Sequence, residues 1–436
     1  MTLRSELEER VVDAVRESRP DLIALTSELV SYDTTARHSP DDPARDEVKL
    51  QAALERRLRA LGATTEVWEP DAPGPDNPME IAADLSFAGR PQLLARIFGA
   101  GGGRSLLLNG HIDAVDVAPR EEWSSDPLRA EVRDGRLYGR GSNDMKGGLA
   151  SFVVALEALH RVGVRLRGDV LFCADTDEES SGAGGWACVA HGVGADAGLC
   201  AEASDFDAWT ACRGSTSALL RVRGRAGHVE MPQPEWRDGG AVNAIEKMFP
   251  LLDALQRLQA EWRTSSHLQH LLLSPPGVLP TTIKGGSFMY TYPEYCEAFI
   301  AVQYLPGQAD EHGKATAVRK GIMDWVAAAA AADPWLAENP PAWTWLSDFP
   351  PRELAADHEI VTTTLASAKD VGREGRVAGL DSWDDAATFT RFGGTPTISF
   401  GPGGRHAHAV DEFVPVEDLV DHCAASALAM MRWCGV

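Results

Sequence analysis

Short apolar runs alternate with helically spaced apolar residues over the first half of the chain and again near its end. The apolar runs, which predict strands, lie at residues 93–99, 105–113, 169–175, 197–202 and 395–401. Helical spacing predicts helices at residues 1–18, 21–31, 46–62, 147–163, 184–192 and 415–434, with Pro20 as the break between the first two. Strands that alternate with helices indicate an α/β fold, in which a mostly parallel sheet is flanked by helices.

The middle of the chain has a different pattern. Its first segment alternates apolar and polar side chains, as a half-exposed antiparallel strand does. The predicted elements are strands at 217–230, 281–288 and 295–306, a helix at 241–262 apart from Pro250, and a helix at 313–332. This order predicts an inserted α+β module, of ferredoxin-like type. We assign residues 214–350 to this inserted domain, and residues 1–213 and 351–436 to one discontinuous domain.

The charge balance narrows the classes of partner. The 436 residues include 41 Lys and Arg against 64 Asp and Glu, a formal net charge of −23. A surface of this sign repels nucleic acid and anionic membrane, so we expect neither as a partner. No apolar run reaches the roughly 18 residues that span a bilayer, and the charged N-terminus lacks the apolar core of a signal peptide. The seven cysteines form no Cys-x-x-Cys pair, and the predicted location is the cytoplasm.

Histidine and acidic residues follow successive predicted strands at the point where each strand ends. They are His111 and Asp113, Glu178 and Glu179, Glu202, and His408, and they are joined by Asp144 in a glycine-flanked loop that opens a helix. Ligands of open α/β sheets bind beyond the carboxyl ends of the strands. We therefore expect these side chains to meet at one edge of the sheet.

Imidazoles mixed with carboxylates suit Zn²⁺ or a similar divalent ion. Two metals fit this set if one carboxylate bridges them, and a spare glutamate can then act as a general base. Each residue alone has an ordinary explanation, such as a helix cap for Asp144 or a solvated turn for the two glutamates. Their occurrence together and in this order favours a metal site.

Several segments resemble one known family. They are LLLNGHIDAV, WSSDPLRAEVRDGRLYGRGSNDMKGGLAS, DTDEESSGAGG, AEAS, RGRAGH with GGAVNAI, and SFGPGG with AHAVDEFVPV, and they extend from about residue 105 to 420. They are similar to the dinuclear zinc deacylase and exopeptidase family, which includes acetylornithine deacetylase, succinyl-diaminopimelate desuccinylase, aminoacylase and glutamate carboxypeptidase. The resemblance implies a zinc-exopeptidase-like fold whose inserted domain is a lid that also dimerises.

The resemblance also implies a role for each site residue. Asp144 would bridge two Zn²⁺ ions (or Co²⁺ or Mn²⁺) in each subunit, with His111 and Glu202 completing one site and Glu179 and His408 the other. His408 is preferred to His406 because of the Asp-Glu-Phe-Val run that follows it. Glu178 would be the general base, Asp113 would orient His111, and His228 would reach the active site of the partner subunit in a homodimer and stabilise the oxyanion.

The chain departs from the family where many relatives bind a substrate carboxylate. Gln303 stands where we would look for arginine, and the pair Asp385-Ala386 is followed by alanine. A neutral amide cannot form a bidentate charged pair with a carboxylate. The other candidates for substrate contact are Asn243 in the Gly-Gly-Ala-Val-Asn run, Arg391, Arg405 and Arg352.

These observations predict metal-dependent hydrolysis of a linear amide in a small molecule, most simply deacylation of an N-acyl amino acid or a related compound. A dipeptidase or carboxypeptidase is one alternative. An aminohydrolase or carbamoyl hydrolase acting on a non-peptide substrate is another, and the missing arginine favours it. A degenerate relative that only binds or dimerises is disfavoured, because all seven expected site residues are present, Glu178 included.

Overall fold

A computed structural model describes residues 5–39 and 41–436 of the protein. The first four residues of the predicted N-terminal helix lie outside this range. The strands are β1 (Thr64–Trp68), β2 (Gln92–Ile97), β3 (Leu106–His111), β4 (Glu131–Arg133), β5 (Arg136–Tyr138), β6 (Val170–Asp175), β7 (Ala197–Cys200), β8 (Ala208–Cys212), β9 (Gly214–Arg223), β10 (Gly277–Gly285), β11 (Tyr295–Tyr304), β12 (Ala342–Phe349), β13 (Arg352–Glu353), β14 (Val377–Leu380), β15 (Thr397–Ser399) and β16 (Phe413–Pro415).

The helices pack on both faces of the larger sheet and on one face of the inserted domain. They are α1 (Glu6–Glu17), α2 (Arg19–Ser31), α3 (Glu47–Ala60), α4 (Lys146–Val162), α5 (Glu178–Ser181), α6 (Ala183–Ala190), α7 (Ala244–Thr264), α8 (Thr316–Ala330), α9 (Pro334–Glu338), α10 (Glu359–Asp370), α11 (Asp385–Arg391) and α12 (Val416–Cys434). Among the described residues, no helix combines the length and apolar character that crossing a membrane requires.

A large mixed sheet has a parallel centre. Its strand order is β1-β2-β6-β3-β7-β15-β8-β13, with β14 also paired to β8. Strands β6, β3, β7 and β15 run parallel to one another, whereas β1, β2 and β13 pair in antiparallel fashion. Every residue of β3 and β6 is buried, because helices cover both faces of the sheet, and this accounts for their continuous apolar sequences.

The inserted domain is a separate four-stranded antiparallel sheet between Gly214 and Phe349. The chain order β9-α7-β10-β11-α8-β12 and the strand order β10-β11-β9-β12 give ferredoxin-like topology. Alternate residues of β9 and β11 are buried, and they form one apolar core with α7 and α8 on one face of the sheet. The opposite face is only partly buried and points toward the α/β domain.

Charged and polar contacts join the inserted domain to the loop that precedes β2. Glu80 of this loop lies 2.8 Å from the Arg319 guanidinium and 3.2 Å from the Lys314 ammonium group of the inserted domain. The Asp348 main-chain N–H donates to Met79 O at 2.9 Å. Burial raises the pKa of Asp348 to about 6, although Arg319 opposes this shift. These contacts hold the inserted domain so that the partly buried face of β9 and β12 lies next to the α/β domain.

Several elements differ from the sequence prediction. Pro20 lies in the first turn of α2, where its missing N–H has no intrahelical partner to lose, and α7 continues through Pro250. Strand β9 ends at Arg223 rather than 230. The prediction omitted the strands β1, β4, β5, β8, β12, β13, β14 and β16 and the helices α5, α9, α10 and α11. The omitted strands are short or have mixed burial, so they lack the apolar run of a central strand.

Candidate metal centre

The four parallel strands deliver the candidate ligands to one edge of the sheet. Strand β3 ends at His111, and β6 is followed by α5, whose first two residues are Glu178 and Glu179. Glu202 lies two residues beyond β7, and the loop after β15 carries His408. Parallel strands present their carboxyl ends together, so residues far apart in sequence converge here.

Asp144 lies between two groups of potential ligands. Its Oδ1 is 3.3 Å from His111 Nε2, which in turn is 3.8 Å from Glu202 Oε1. Its Oδ2 is 3.3 Å from His408 Nε2, which is 3.1 Å from Glu179 Oε2. Each carboxylate oxygen of Asp144 therefore faces one group, which is the arrangement that a bridging ligand needs.

These residues fit two divalent ions. In each group the three donor atoms lie within 4.8 Å of one another, and each group offers one imidazole nitrogen with two carboxylate oxygens, a set that Zn²⁺ accepts. The Oε1 atom of Glu179 is buried without a hydrogen-bond partner among the described residues. A buried oxygen of this kind is expected where a carboxylate is a metal ligand. His406 is placed elsewhere, with its Nδ1 against Asp411 O.

Buried charge shapes the electrostatics of this edge. Burial raises the pKa of Glu178 well above its usual value, with His111 opposing and the neighbouring carboxylates adding to the shift. Burial lowers the pKa of His111, but the bond to Asp144 and nearby carboxylates raise it well above normal overall. Hydrogen bonds to Asp144 and Glu179 raise the pKa of His408 to about 10. The site thus attracts positive charge, which metal ions would supply in place of these protons.

Asp113 contacts the turn that carries Glu178 and Glu179 as well as His111. Its carboxylate accepts hydrogen bonds from the main-chain N–H groups of Glu178 (3.2 Å) and Glu179 (3.1 Å). The atom of Asp113 nearest to His111 Nδ1 is its main-chain oxygen at 3.0 Å, and the carboxylate is 3.6 Å away. The predicted orienting contact with His111 is therefore made by the carbonyl, while the carboxylate holds the turn that carries the two glutamates.

Glu412 fixes the loop that presents Asp144. This carboxylate is fully buried and accepts hydrogen bonds from the main-chain N–H groups of Gly141, Asn143 and Asp144 at 2.9–3.1 Å. It also pairs with the buried Arg140 guanidinium at 2.6 Å. Sequence reasoning used the Asp-Glu-Phe-Val run only to select His408 and gave Glu412 no role, because its partners are distant main-chain groups.

A cavity of about 620 Å³ opens beside the two groups. Glu178, Glu179, Asp144, Glu202 and His408 lie in its wall, and the rest of the wall includes Trp209, Phe349, Leu380 and Trp383. None of the described residues that line it is Arg or Lys. The Trp383 ring packs against Gly182, whose φ is +64° and where a Cβ atom would lie 2.6 Å from the ring, so this turn requires glycine.

Asn243, Gln303 and Arg391, which were predicted to contact the substrate, are not among the described residues that line this cavity. Asn243 caps α7 by accepting from the main-chain N–H groups of Ile245 and Glu246, and Gln303 pairs with Ser215 in the inserted sheet. Arg391 donates to main-chain oxygens of Asp310 and Glu311.

The remaining candidates, Arg405, Arg352 and His228, do not line this cavity either. Arg405 is exposed, with Asp205 at 3.8 Å. Arg352 is fully buried and bonds to Asp384, Ser399 and two main-chain oxygens. His228 is exposed on the inserted domain, where its Nδ1 accepts from the Glu230 N–H.

The chain is similar in sequence to known hydrolases. Residues 107–432 match the family model described as Peptidase family M20/M25/M40. The chain is 27% identical over 443 residues to N-formyl-4-amino-5-aminomethyl-2-methylpyrimidine deformylase of Bacillus subtilis, with 96% of each chain covered. It is 30% identical over 338 residues to succinyl-diaminopimelate desuccinylase of Thioalkalivibrio sulfidiphilus, covering 73% of this chain and 80% of the relative.

A solved structure has the same fold. Human carnosine dipeptidase 1 superposes with a TM-score of 0.72 at 14% identity, over 99% of this chain and 100% of that one. The mostly parallel sheet and the separate antiparallel module are therefore common to both proteins.

Asp144→Ala should abolish metal binding at both groups. Since one oxygen of Asp144 faces each histidine, the substitution removes a ligand from both sites at once. Elemental analysis of purified protein should find up to two ions per wild-type chain and almost none in the variant. Asp357→Ala, at an exposed aspartate far from the site, is the matched control, and equal metal content in all three proteins would refute the bridging assignment.

Proposed function

The chain belongs to peptidase family M20/M25/M40, and from that membership and the lining of the metal cavity we propose that it removes a short acyl group from the amine nitrogen of a heteroaromatic compound that carries no carboxylate. The family hydrolyses amide bonds with bound metal, and the residues described above supply two adjoining ligand groups. The observation that carries the finer proposal is the wall of the metal cavity, which has three aromatic rings and, among its described residues, neither Arg nor Lys.

The side chains at this edge supply the proton transfers of amide hydrolysis. When bound, two divalent ions, which we propose are zinc with cobalt or manganese as alternatives, polarise the amide carbonyl and lower the pKa of water. Glu178 takes a proton from the attacking water and delivers it to the leaving nitrogen. The water oxygen ends on the acyl carbon, the C–N bond breaks, and a carboxylic acid and an amine are released.

The charge of the cavity wall argues for an uncharged amine. A free α-carboxylate next to the scissile amide needs a cationic partner, and a buried carboxylate without one is strongly disfavoured. Aromatic walls instead favour a flat ring. The deformylase of Bacillus subtilis, whose name specifies an aminomethylpyrimidine, aligns over almost the whole chain, and this supports a formamide of a heteroaromatic amine as the substrate. An N-acyl amino acid, a dipeptide and a carbamoyl compound are the competing substrates.

A substrate panel tests this proposal. With zinc or cobalt supplied, the protein should hydrolyse N-formyl-4-amino-5-aminomethyl-2-methylpyrimidine with a kcat/KM at least about 100-fold above those of N-acetyl and N-succinyl amino acids, because their carboxylates find no cation. Dipeptides and N-carbamoyl amines complete the panel. Faster hydrolysis of any carboxylate-bearing substrate would contradict the proposal.

Glu178→Gln should keep the metals and lose turnover. The amide cannot accept a proton, and general-base catalysis contributes about 10²- to 10⁴-fold, so we expect a fall in kcat within that range at unchanged metal content. Glu374→Gln, at an exposed position away from the site, controls for the substitution itself. Near-normal turnover by metal-loaded Glu178→Gln would remove this residue from the proposed role.

We further propose a homodimer formed through the inserted domain. Strand β10 is an edge strand that pairs only with β11 among the described strands. Leu279 and Ile283 on it are 46% and 50% exposed, which makes it a template for pairing. His228 lies on the same domain and does not line the metal cavity of its own chain. A dimer that carries His228 into the partner's cavity would give this histidine its proposed role at the oxyanion.

Subunit mixing tests the dimer and the shared site together. Light scattering should give the mass of a dimer. Glu178→Gln and His228→Ala should each be inactive, but a mixture of exchanged subunits should regain about a quarter of wild-type activity, since one site in each heterodimer is intact. Each variant mixed with itself is the control. A monomeric mass, or no regained activity after proven exchange, would contradict the proposal.

A further inference from the structure

A second cavity, of about 430 Å³, adjoins the metal cavity. The two cavities share Ser180, Ser181, Ser215 and Phe349 in their walls. The second cavity lies between the partly exposed face of the inserted sheet and two segments of the α/β domain, residues 37–39 and 81–85. The reaction steps described above do not use it.

The inserted sheet gives this cavity a wall of hydroxyl groups. Ser217 on β9 and Ser347 on β12 are directly opposite each other, with their Oγ atoms 2.8 Å apart. One hydroxyl donates to the other, so the pair keeps one O–H donor and several lone pairs for a ligand. The Ser215 hydroxyl makes no hydrogen bond to any described residue and lies in the wall shared by both cavities.

The remaining walls are apolar. Phe299, Ala301 and Leu346 come from the inserted sheet, and Ile81 and Leu85 come from the facing loop of the α/β domain. Ala301 is opposite Ser217 on the neighbouring strand. The cavity therefore combines apolar surface for a ring with hydrogen-bonding groups for its edge.

The charged groups at this cavity already have partners. The Arg37 guanidinium lies 2.7 Å from the Asp177 carboxylate and donates to Ser86 O at 3.0 Å. The ring of His38 is 2.9 Å from Asp116. No other Lys, Arg, Asp or Glu is among the described residues in the wall. A charged ligand would gain no new ion pair here, so the cavity favours an uncharged one.

We propose that this second cavity binds the amine half of the substrate, and that this half is an uncharged amine whose ring system carries hydrogen-bonding groups. The inference rests on the proposed function. A formyl group has a single carbon and needs no cavity of its own, so everything else in a formamide lies on the amine side of the scissile bond. A volume of about 430 Å³ lies within the range of small-molecule sites and accepts a body of one or two rings.

Filling the cavity should change selectivity for amine size. Ala301→Phe places a ring in the cavity, and kcat/KM should fall roughly tenfold or more for N-formyl-aminomethylquinoline while remaining within about twofold of wild type for N-formylmethylamine. Ala342→Phe is the matched control, because it makes the same change on the same face of the sheet, opposite Arg221, outside the cavity wall. Leu346→Trp fills the cavity from β12 and replaces Ala301→Phe if that variant does not fold.

The outcomes separate a failure of the proposed subsite from a failure of the proposed function. Selective loss for the large formamide supports the subsite. Equal effects on both substrates, or none, overturn the subsite while the hydrolysis of formamides stands. A metal-loaded wild-type protein that hydrolyses no formamide overturns the proposed function and this inference with it.

The hydroxyl pair gives an independent test of the ligand's chemistry. Ser217→Ala with Ser347→Ala removes both partners together and leaves no orphaned hydroxyl. The kcat/KM for the formamide of an aminomethylpyrimidine should fall about tenfold, whereas that for N-formylbenzylamine, which has no ring nitrogen or amino group, should stay unchanged. Equal loss for both rings would show that these hydroxyl groups do not recognise the edge of the amine.

Discussion

Five carboxylates crowd one edge of a buried sheet, and the architecture around them depends on holding that charge in place. Asp113, Asp144, Glu178, Glu179 and Glu202 come from distant parts of the chain, and all are at least partly buried. Like charges at this spacing repel, and burial raises the free energy of their ionised forms. The raised pKa values of His111 and His408 express the same demand for positive charge that two divalent ions would meet.

Main-chain N–H groups bind two supporting carboxylates, Glu412 and Asp113, next to this cluster. Glu412 accepts hydrogen bonds from three N–H groups in the loop that carries Asp144. Asp113 accepts two from the turn that carries Glu178 and Glu179. Each of these carboxylates thereby fixes the main chain behind a predicted ligand, and fixes the direction of its side chain. The positions of the predicted ligands therefore depend on these two supporting acids as well as on the strands that carry the ligands.

The sequence predicts the carboxyl edge of the sheet well, because each strand there can be recognised from its own residues alone. A parallel strand buried on both faces is a continuous apolar run, so the ends of β3, β6 and β7 can be read directly, and the residues that follow them are the candidate ligands. The supporting contacts are not local. Glu412 acts on main-chain groups about 270 positions away, and β12 is recognisable only once its partner β9 is in place. Arg391 and Asn243 were predicted from motif position, yet local bonds to a loop and to a helix end occupy them.

The metal cavity has neither Arg nor Lys among its described lining residues, and contacts elsewhere in the fold account for where two of the candidate arginines lie. Arg352 has its side chain completely buried, with the Asp384 carboxylate at 3.4 Å and Ser399 Oγ at 3.2 Å. Turning it toward a substrate would leave Asp384 buried without its partner, which costs about 3–5 kcal/mol. Arg391 ties α11 to the inserted domain through two main-chain oxygens. Neither Arg352 nor Arg391 can turn toward the metal cavity without breaking these contacts, and this supports the proposal of a substrate whose amine half carries no carboxylate.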